Sequence, residues 1–404
     1  MAFKITILVV ALAALLPSLY DTYFRLTILL GNAPEKLLRI NNLKSHEIKF
    51  RDSFRSCEDV VLIPSKGVAI LSCDPGRESW NTVMGIFSPG PVPGAEIYGY
   101  DYKEANTQDS DNLRRFDILD YEPETDFHTL GMAYDEESST LFVVNHRKSG
   151  STIELFKLDL ATWTAKHFRT LRHPLLYAPN ALTLINNHEL LITNDHYFIL
   201  EKHPLLGKLE TYLGLPLASV VHVDLSSLLE DPSSTVEAIV LARLPFANGI
   251  GFLNETTVAV ASTSKPGVYF YTITTSQDST NTSPLSLTYQ SNIRLPYWVD
   301  NIHISLDGTL YIAGHPHPPT LDTFSKTRLQ CNAADLTDAD PSVQEQCKTI
   351  SAPSWISRWT EETGLEHLYV GVEYPSSSTA VFDSERNVGI VSGLYGKGIL
   401  VWRE

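Results

Sequence analysis

The chain has 404 residues, 43% of them hydrophobic and 10% aromatic, which is enough to build a large buried core. Its net charge is −16 and it carries no basic run, so it lacks the electrostatic footprint of a nucleic-acid binder.

The first element is MAFKITILVVALAALLPSLY, with one lysine and then an apolar run from Ile5 to Tyr20 broken only by Pro17 and Ser18. This reads as a signal peptide or signal-anchor over 1–30. It predicts entry to the secretory pathway, and a protein secreted or anchored facing the lumen or exterior. The partly apolar DTYFRLTILL that follows suits an uncleaved anchor and membrane association through this segment. The remainder, 31–404, is expected to form one domain.

An oxidising compartment makes disulfides available to the four cysteines. Cys57 and Cys73 flank EDVVLIPSKGVAILS, a hairpin pattern that lets them face each other. Cys331 and Cys347 bracket a polar stretch that a bridge would staple. Those two local pairs are the expected connectivity. Asn254 and Asn281 each open a glycosylation sequon.

From residue 58 onward a unit repeats: a polar residue, a short apolar alternation, a turn, then a strand of small and β-branched residues. Copies lie at 58–72, 128–146, 180–195, 248–262, 300–314 and 378–393. Further strands fill the gaps, as in TIELFKLDL, SVVHVDL and GVYFYTIT. Units of this length with about four strands are propeller blades. The expected fold is therefore all-β, a six-bladed β-propeller whose inner strands begin at the polar residues. Segment 318–352 reads as a long surface loop.

The residues that open the units carry the chemistry. Glu58, Asn180, Asn248, Asp300 and Asn301 all offer oxygen, and a propeller would aim them at one point on its axis. Two carboxylates balance a divalent ion, and three amides add oxygens without excess charge, which suits calcium. Zinc would ask for histidine or cysteine instead. A single such residue is usually a turn former or a cap, but five at equivalent positions argue for an axial calcium. Motifs of other hydrolases and nucleotide binders are missing: no G-x-S-x-G, H-E-x-x-H, P-loop or G-x-G-x-x-G occurs.

Several stretches, in order over roughly 55–400, resemble the serum paraoxonase/arylesterase family: SCEDVVLIPSKGVAILS, VVNHRKSGSTIELFKLDL, LLITNDHYF, PFANGIGF, WVDNIHIS and YIAGHP. The resemblance implies a six-bladed propeller with axial calcium that hydrolyses lactones, aryl esters and some organophosphate triesters. It also implies that Glu58, Asn180, Asn248, Asp300 and Asn301 match the family's catalytic calcium ligands. Asp59 and the Met132 carbonyl match ligands of a second, structural calcium, but Ala181 stands where that site has an aspartate. Of the family's histidine dyad, one member matches His146; the other aligns on Leu130, with His128 two residues earlier on the same strand face. His315 matches a pocket histidine, while His196 reads as structural. The family's terminal disulfide has no counterpart here.

The expectation is thus a calcium-dependent hydrolase of small esters or lactones. Calcium would polarise the substrate oxygen, and a histidine or carboxylate would activate water. The rival is a non-catalytic, calcium-stabilised propeller that binds a ligand or protein.

Overall fold

The computed structural model describes residues 16, 19–103, 109–122, 126–230, 235–275 and 285–404. Each of the repeated units becomes the two innermost strands of one blade. The innermost strands are Arg55–Ile63, Thr129–Asp135, Pro179–Leu184, Ala247–Asn254, Trp298–Ile304 and Ser377–Asp383. Each is antiparallel to the strand that follows it, and two or more further strands extend the sheet outward. Every innermost strand touches the next, and Ser377–Asp383 returns to Arg55–Ile63, so the six blades close a ring.

Closure uses both ends of the described chain. Ser45–Lys49 pairs antiparallel with Ile399–Arg403 and becomes the outer strand of blade 6. The upstream pair Ile40–Asn41 extends blade 5 at Gly364–Gly371. Blades 6 and 1 are also bonded directly, with Gly393 opposite Cys57. Pairing the two ends across one blade removes an open sheet edge.

Strand alternation explains why the blades stack. A separate apolar core fills each gap between neighbours: Val60 and Val381 between blades 6 and 1, Ile70 and Val143 between 1 and 2, and Ile192 and Val144 between 2 and 3. Val220 with Val260, Val268 with Ile312, and Tyr311 with Trp402 fill the other three gaps. Burial on both faces needs runs such as VAILSC, in which every residue is buried.

Helices decorate one end: α1 over 19–31, α2 at Pro204–Leu213, α3 at Pro318–Cys331 and α4 at Pro341–Thr349. The last two correct the surface-loop reading of 318–352. Helix α3 buries Leu321, Phe324, Ser325, Arg328 and Cys331, a 3.6-residue stripe disguised by a buried serine and arginine. Cys331 is bonded to Cys347 of α4, and Cys57 to Cys73 across the inner strands of blade 1, as expected.

The 1–30 segment falls largely outside the described residues. Its last part, α1, is built into the fold: Ile28 is buried, and the Arg25 guanidinium donates to the Tyr212 and Leu213 carbonyls at the end of α2. Among the described residues no helix is long and apolar enough to cross a membrane. Asn254 is exposed at a blade 4 turn; Asn281 lies outside the described residues.

Candidate active site on the propeller axis

The same irregularity recurs at the start of every innermost strand. The ladder slips between Cys57 and Asp59, Thr129 and Met132, Pro179 and Leu182, Ala247 and Ile250, Val299 and Ile302, and Ser377 and Thr379. A bulge leaves the skipped residues unpaired and turns them away from the sheet. The skipped residues are Glu58, Leu130, Asn180, Asn248, Asp300 and Ser378, with Gly131, Ala181, Gly249 and Asn301 following four of them. In blades 1, 4 and 6 the turn into the bulge uses left-handed backbone at Ser56 (φ 60°), Phe246 (φ 43°) and Ser376 (φ 55°). Close approach demands glycine at two points. A Cβ on Gly249 would lie 2.7 Å from the Asn301 Cα, and one on Gly131 would lie 2.7 Å from the Asn180 carbonyl.

All five oxygen-bearing residues are buried, none more than 6% exposed. Their hydrogen bonds fix which atom is left over. The Asn180 amide nitrogen donates to Asp195 Oδ2 at 3.2 Å, and that of Asn248 to Thr263 Oγ1 at 3.0 Å. The Asn301 nitrogen donates to Glu58 Oε1 at 2.8 Å and Thr379 Oγ1 at 3.0 Å. The three amide carbonyl oxygens and Glu58 Oε2 are buried without a hydrogen-bond partner among the described residues. Four orphaned acceptors contributed by blades 1, 3, 4 and 5 are costly unless something electropositive meets them. Glu58, Asn180, Asn248 and Asp300 line one cavity of about 120 Å³. Its walls are mostly apolar and include Val83, Leu130, Tyr212, Phe246, Trp298 and Leu321.

The charges are crowded. Burial pushes the Glu58 carboxyl well above its ordinary range, and Asp59 and Asp300 add to the effect; Arg77 and the Asn301 hydrogen bond work against it. Burial likewise raises Asp59, to about 6. A cation would reverse the logic by attracting the charged forms. This donor set, two carboxylates and three amide oxygens with room for water, fits a hard divalent cation such as calcium. Among the described residues no three His, Cys, Asp or Glu residues group as a metal site. That follows from a set in which amides outnumber carboxylates.

Asp59 sits differently. Its Oδ1 accepts from the Val60 N–H at 2.8 Å and Thr379 Oγ1 at 3.1 Å, and its Oδ2 from the Met132 N–H at 2.7 Å. Asp59 therefore ties blades 6, 1 and 2 together by hydrogen bonds, and the neighbouring Ala181 offers no side-chain oxygen.

The histidines separate. His315 lines the axial cavity, and its Nε2 lies 2.8 Å from Asp300 Oδ2. His146 instead borders a neighbouring cleft with Arg172 and Lys202. Its Nε2 donates to the Pro179 carbonyl at 2.6 Å, and its Nδ1 meets the Thr82 hydroxyl. Burial lowers its affinity for a proton. His128 is buried behind blade 2, with Nδ1 3.5 Å from Asp74 Oδ2. Leu130 holds the axial position of blade 2. His196 bridges Asp195 and Thr211. Sequence reasoning missed Arg77, a buried guanidinium that lines the cavity and donates to the Thr129 carbonyl, and Thr211 and Lys208 of α2. Only their place in the fold brings them to the axis.

The chain matches the family model described as Arylesterase over residues 58–348. It is 28% identical over 273 residues to human serum paraoxonase/arylesterase 2, spanning 66% of this chain and 68% of that protein. Human serum paraoxonase/arylesterase 1 is 31% identical over 203 residues, covering 48% of this chain and 49% of that one. Among solved structures, a gluconolactonase from Xanthomonas campestris superposes with TM-score 0.49 at 13% identity, covering 90% of each chain. With that family match across most of its length, the chain belongs to the arylesterase (paraoxonase) family of esterase enzymes.

Proposed function

We propose that the axial site binds one calcium ion and hydrolyses lactones and aryl esters, with organophosphate triesters as further substrates. The observation that carries this reading is the set of orphaned buried oxygens on Glu58, Asn180, Asn248 and Asn301, beside Asp300, next to a mostly apolar cavity. Bound there, calcium supplies Lewis-acid polarisation of the substrate oxygen. The apolar wall receives the acyl or aryl group and excludes water. A base lining the same cavity takes a proton from the attacking water, and Glu58 and His315 are the two candidates in place. His146 is held away from this role by its bonds to Pro179 and Thr82. One ion rather than two is supported by the hydrogen bonds that engage both Asp59 oxygens and by Ala181.

The chain is further proposed to enter the secretory pathway and to rest against a membrane surface. The support is an exposed apolar set on two neighbouring helices, Leu19, Tyr23 and Leu30 of α1 with Leu205 and Leu213 of α2. Flotation with neutral vesicles tests that point.

The function is tested by assaying phenyl acetate and a six-membered lactone with the wild type and Asp300→Asn. Wild-type turnover that the substitution lowers at least 100-fold supports the reading. A wild type that binds calcium yet turns over neither substrate favours the non-catalytic binding module.

A further inference from the structure

A buried cation on the wall of the axial cavity has no anion to meet. Arg77 lies on the short turn Pro75–Glu78 that follows Cys73, is 3% exposed, and lines the same cavity as Glu58, Asn180, Asn248 and Asp300. A guanidinium carries five N–H donors and no acceptor. Its Nη2 donates to the Thr129 carbonyl, while its Nε is buried without a hydrogen-bond partner among the described residues. It forms no ion pair among them either. The carboxylates nearest in sequence turn elsewhere: Asp74 Oδ2 lies 3.5 Å from His128 Nδ1, and Glu78 accepts from Arg55 Nε and Asn332 Nδ2, each at 2.6 Å. The Glu78 bonds also hold the turn that carries Arg77. Burial dominates the raised Glu58 carboxyl and the lowered proton affinity of His146, and Arg77 works downward on both, so its charge is felt at the axis. A buried charge without a partner is costly.

The charge balance of the cavity points the same way. With calcium bound, Glu58 and Asp300 match the divalent charge. Asp59 borders a different cavity, His315 is turned to Asp300, and Asp322 on the wall is paired with Lys326 at 2.6 Å. What remains along the wall is the Arg77 guanidinium and the exposed Lys208 ammonium of α2, which also has no ion-pair partner among the described residues. The cavity is thus locally positive in a chain of net charge −16. The free donors of Arg77 sit on a rigid planar fork, which matches the two oxygens of a carboxylate.

We propose that Arg77 is a specificity-determining residue of the axial cavity, and that the favoured substrates are esters or lactones carrying a carboxylate apart from the bond that is hydrolysed. This deepens the ester-hydrolase reading above and rests on it. The guanidinium forks onto the extra carboxylate from within the wall, and Lys208 adds attraction from the exposed side. A neutral ester fills the apolar part of the cavity but leaves the guanidinium unmet.

The experiment compares kcat/KM of the full chain, with calcium, for two matched pairs: phenyl hydrogen adipate against phenyl hexanoate, and 3-acetoxybenzoate against phenyl acetate. The expected result is a preference for the charged member of at least one pair by about 10-fold or more, the range of a hydrogen bond to a charged group. Arg77→Met should bring that ratio to about one, chiefly through KM, and Arg77→Lys should keep part of the preference. Arg77→Gln replaces Arg77→Met if the latter does not fold. A ratio within one protein is not imitated by a general loss of activity. A wild type that hydrolyses the neutral esters with no preference in either pair, or an Arg77→Met chain that keeps the preference, would overturn the assignment and leave the ester-hydrolase reading standing. If the wild type hydrolysed no ester, calorimetric titration with adipate decides. Adipate binding that Arg77→Met loses would uphold the carboxylate site and sink the ester-hydrolase reading. Adipate that does not bind, or that binds Arg77→Met equally well, would sink the carboxylate site.

Discussion

Replacing Glu58 by glutamine should move stability in opposite directions with and without calcium. Glu58 is 1% exposed, and its backbone carbonyl is clamped by Ser378, Thr379 and Ser392 at 2.6, 2.9 and 3.2 Å. Glutamine is isosteric and keeps an acceptor for Asn301, so the clamp and the bulge stay. What changes is one negative charge beside Asp59 and Asp300. Without calcium, the buried Glu58 carboxyl must either stay as an unmatched charge or take up a proton above its ordinary range, and glutamine does neither, so Glu58→Gln should gain stability by about 1–3 kcal/mol. With calcium, removing one of two charged partners should cost about 2–5 kcal/mol of binding, which is roughly 30- to several-thousand-fold in affinity. Thermal unfolding in chelator and in millimolar calcium, with calorimetric titration, reads both arms. A variant less stable than wild type in chelator, or one with wild-type calcium affinity, would refute the reasoning.

Further predictions follow from particular contacts. Gly249→Ala places a methyl against the Asn301 backbone and should destabilise by about 1–3 kcal/mol while lowering calcium affinity, measured by the same titration. His146→Ala strips partners from the Pro179 carbonyl and Thr82, so it should cost about 1–3 kcal/mol of stability and leave kcat within about threefold, the change being too small for a lost general base; a larger drop would return His146 to the chemistry. Glu154 is desolvated, but hydrogen bonds from His167, Thr170, Thr152 and Asn145 hold its carboxyl below the ordinary 4.5. A depressed carboxyl stabilises fully above its unfolded value and loses that contribution as pH falls through its folded value. Glu154→Gln should therefore flatten the acid limb of the stability profile below about pH 4.5, without altering it near neutrality beyond a constant offset.

What the sequence showed and what it hid have physical reasons. The inner strand pair of each blade is buried on both faces and begins with a polar residue that a buried sheet would reject, so Asn180 or Asp300 stands out against its apolar neighbours. The hairpin joining Cys57 to Cys73 is local, and its register could be counted. Helix α3 escaped because Arg328 buries its guanidinium over the Phe324 ring, 3.9 Å from the centroid, a tertiary contact that erases the expected polar–apolar contrast. Thr211 and Arg77 could not be placed, since one rides on a helix after blade 3's second strand and the other on a short turn after Cys73. Their meeting at the axis depends on ring closure. Asp59 shows the converse: its residue type matches a metal ligand, but both its oxygens are engaged by Val60, Thr379 and Met132.

The most direct test of the account is removal and restoration of calcium while bound metal is counted. The protein should lose aryl ester and lactone hydrolysis on chelation, regain it with calcium, and hold one ion per chain at full activity. Hydrolysis that persists in a chelator after the ion is gone would contradict the axial calcium site.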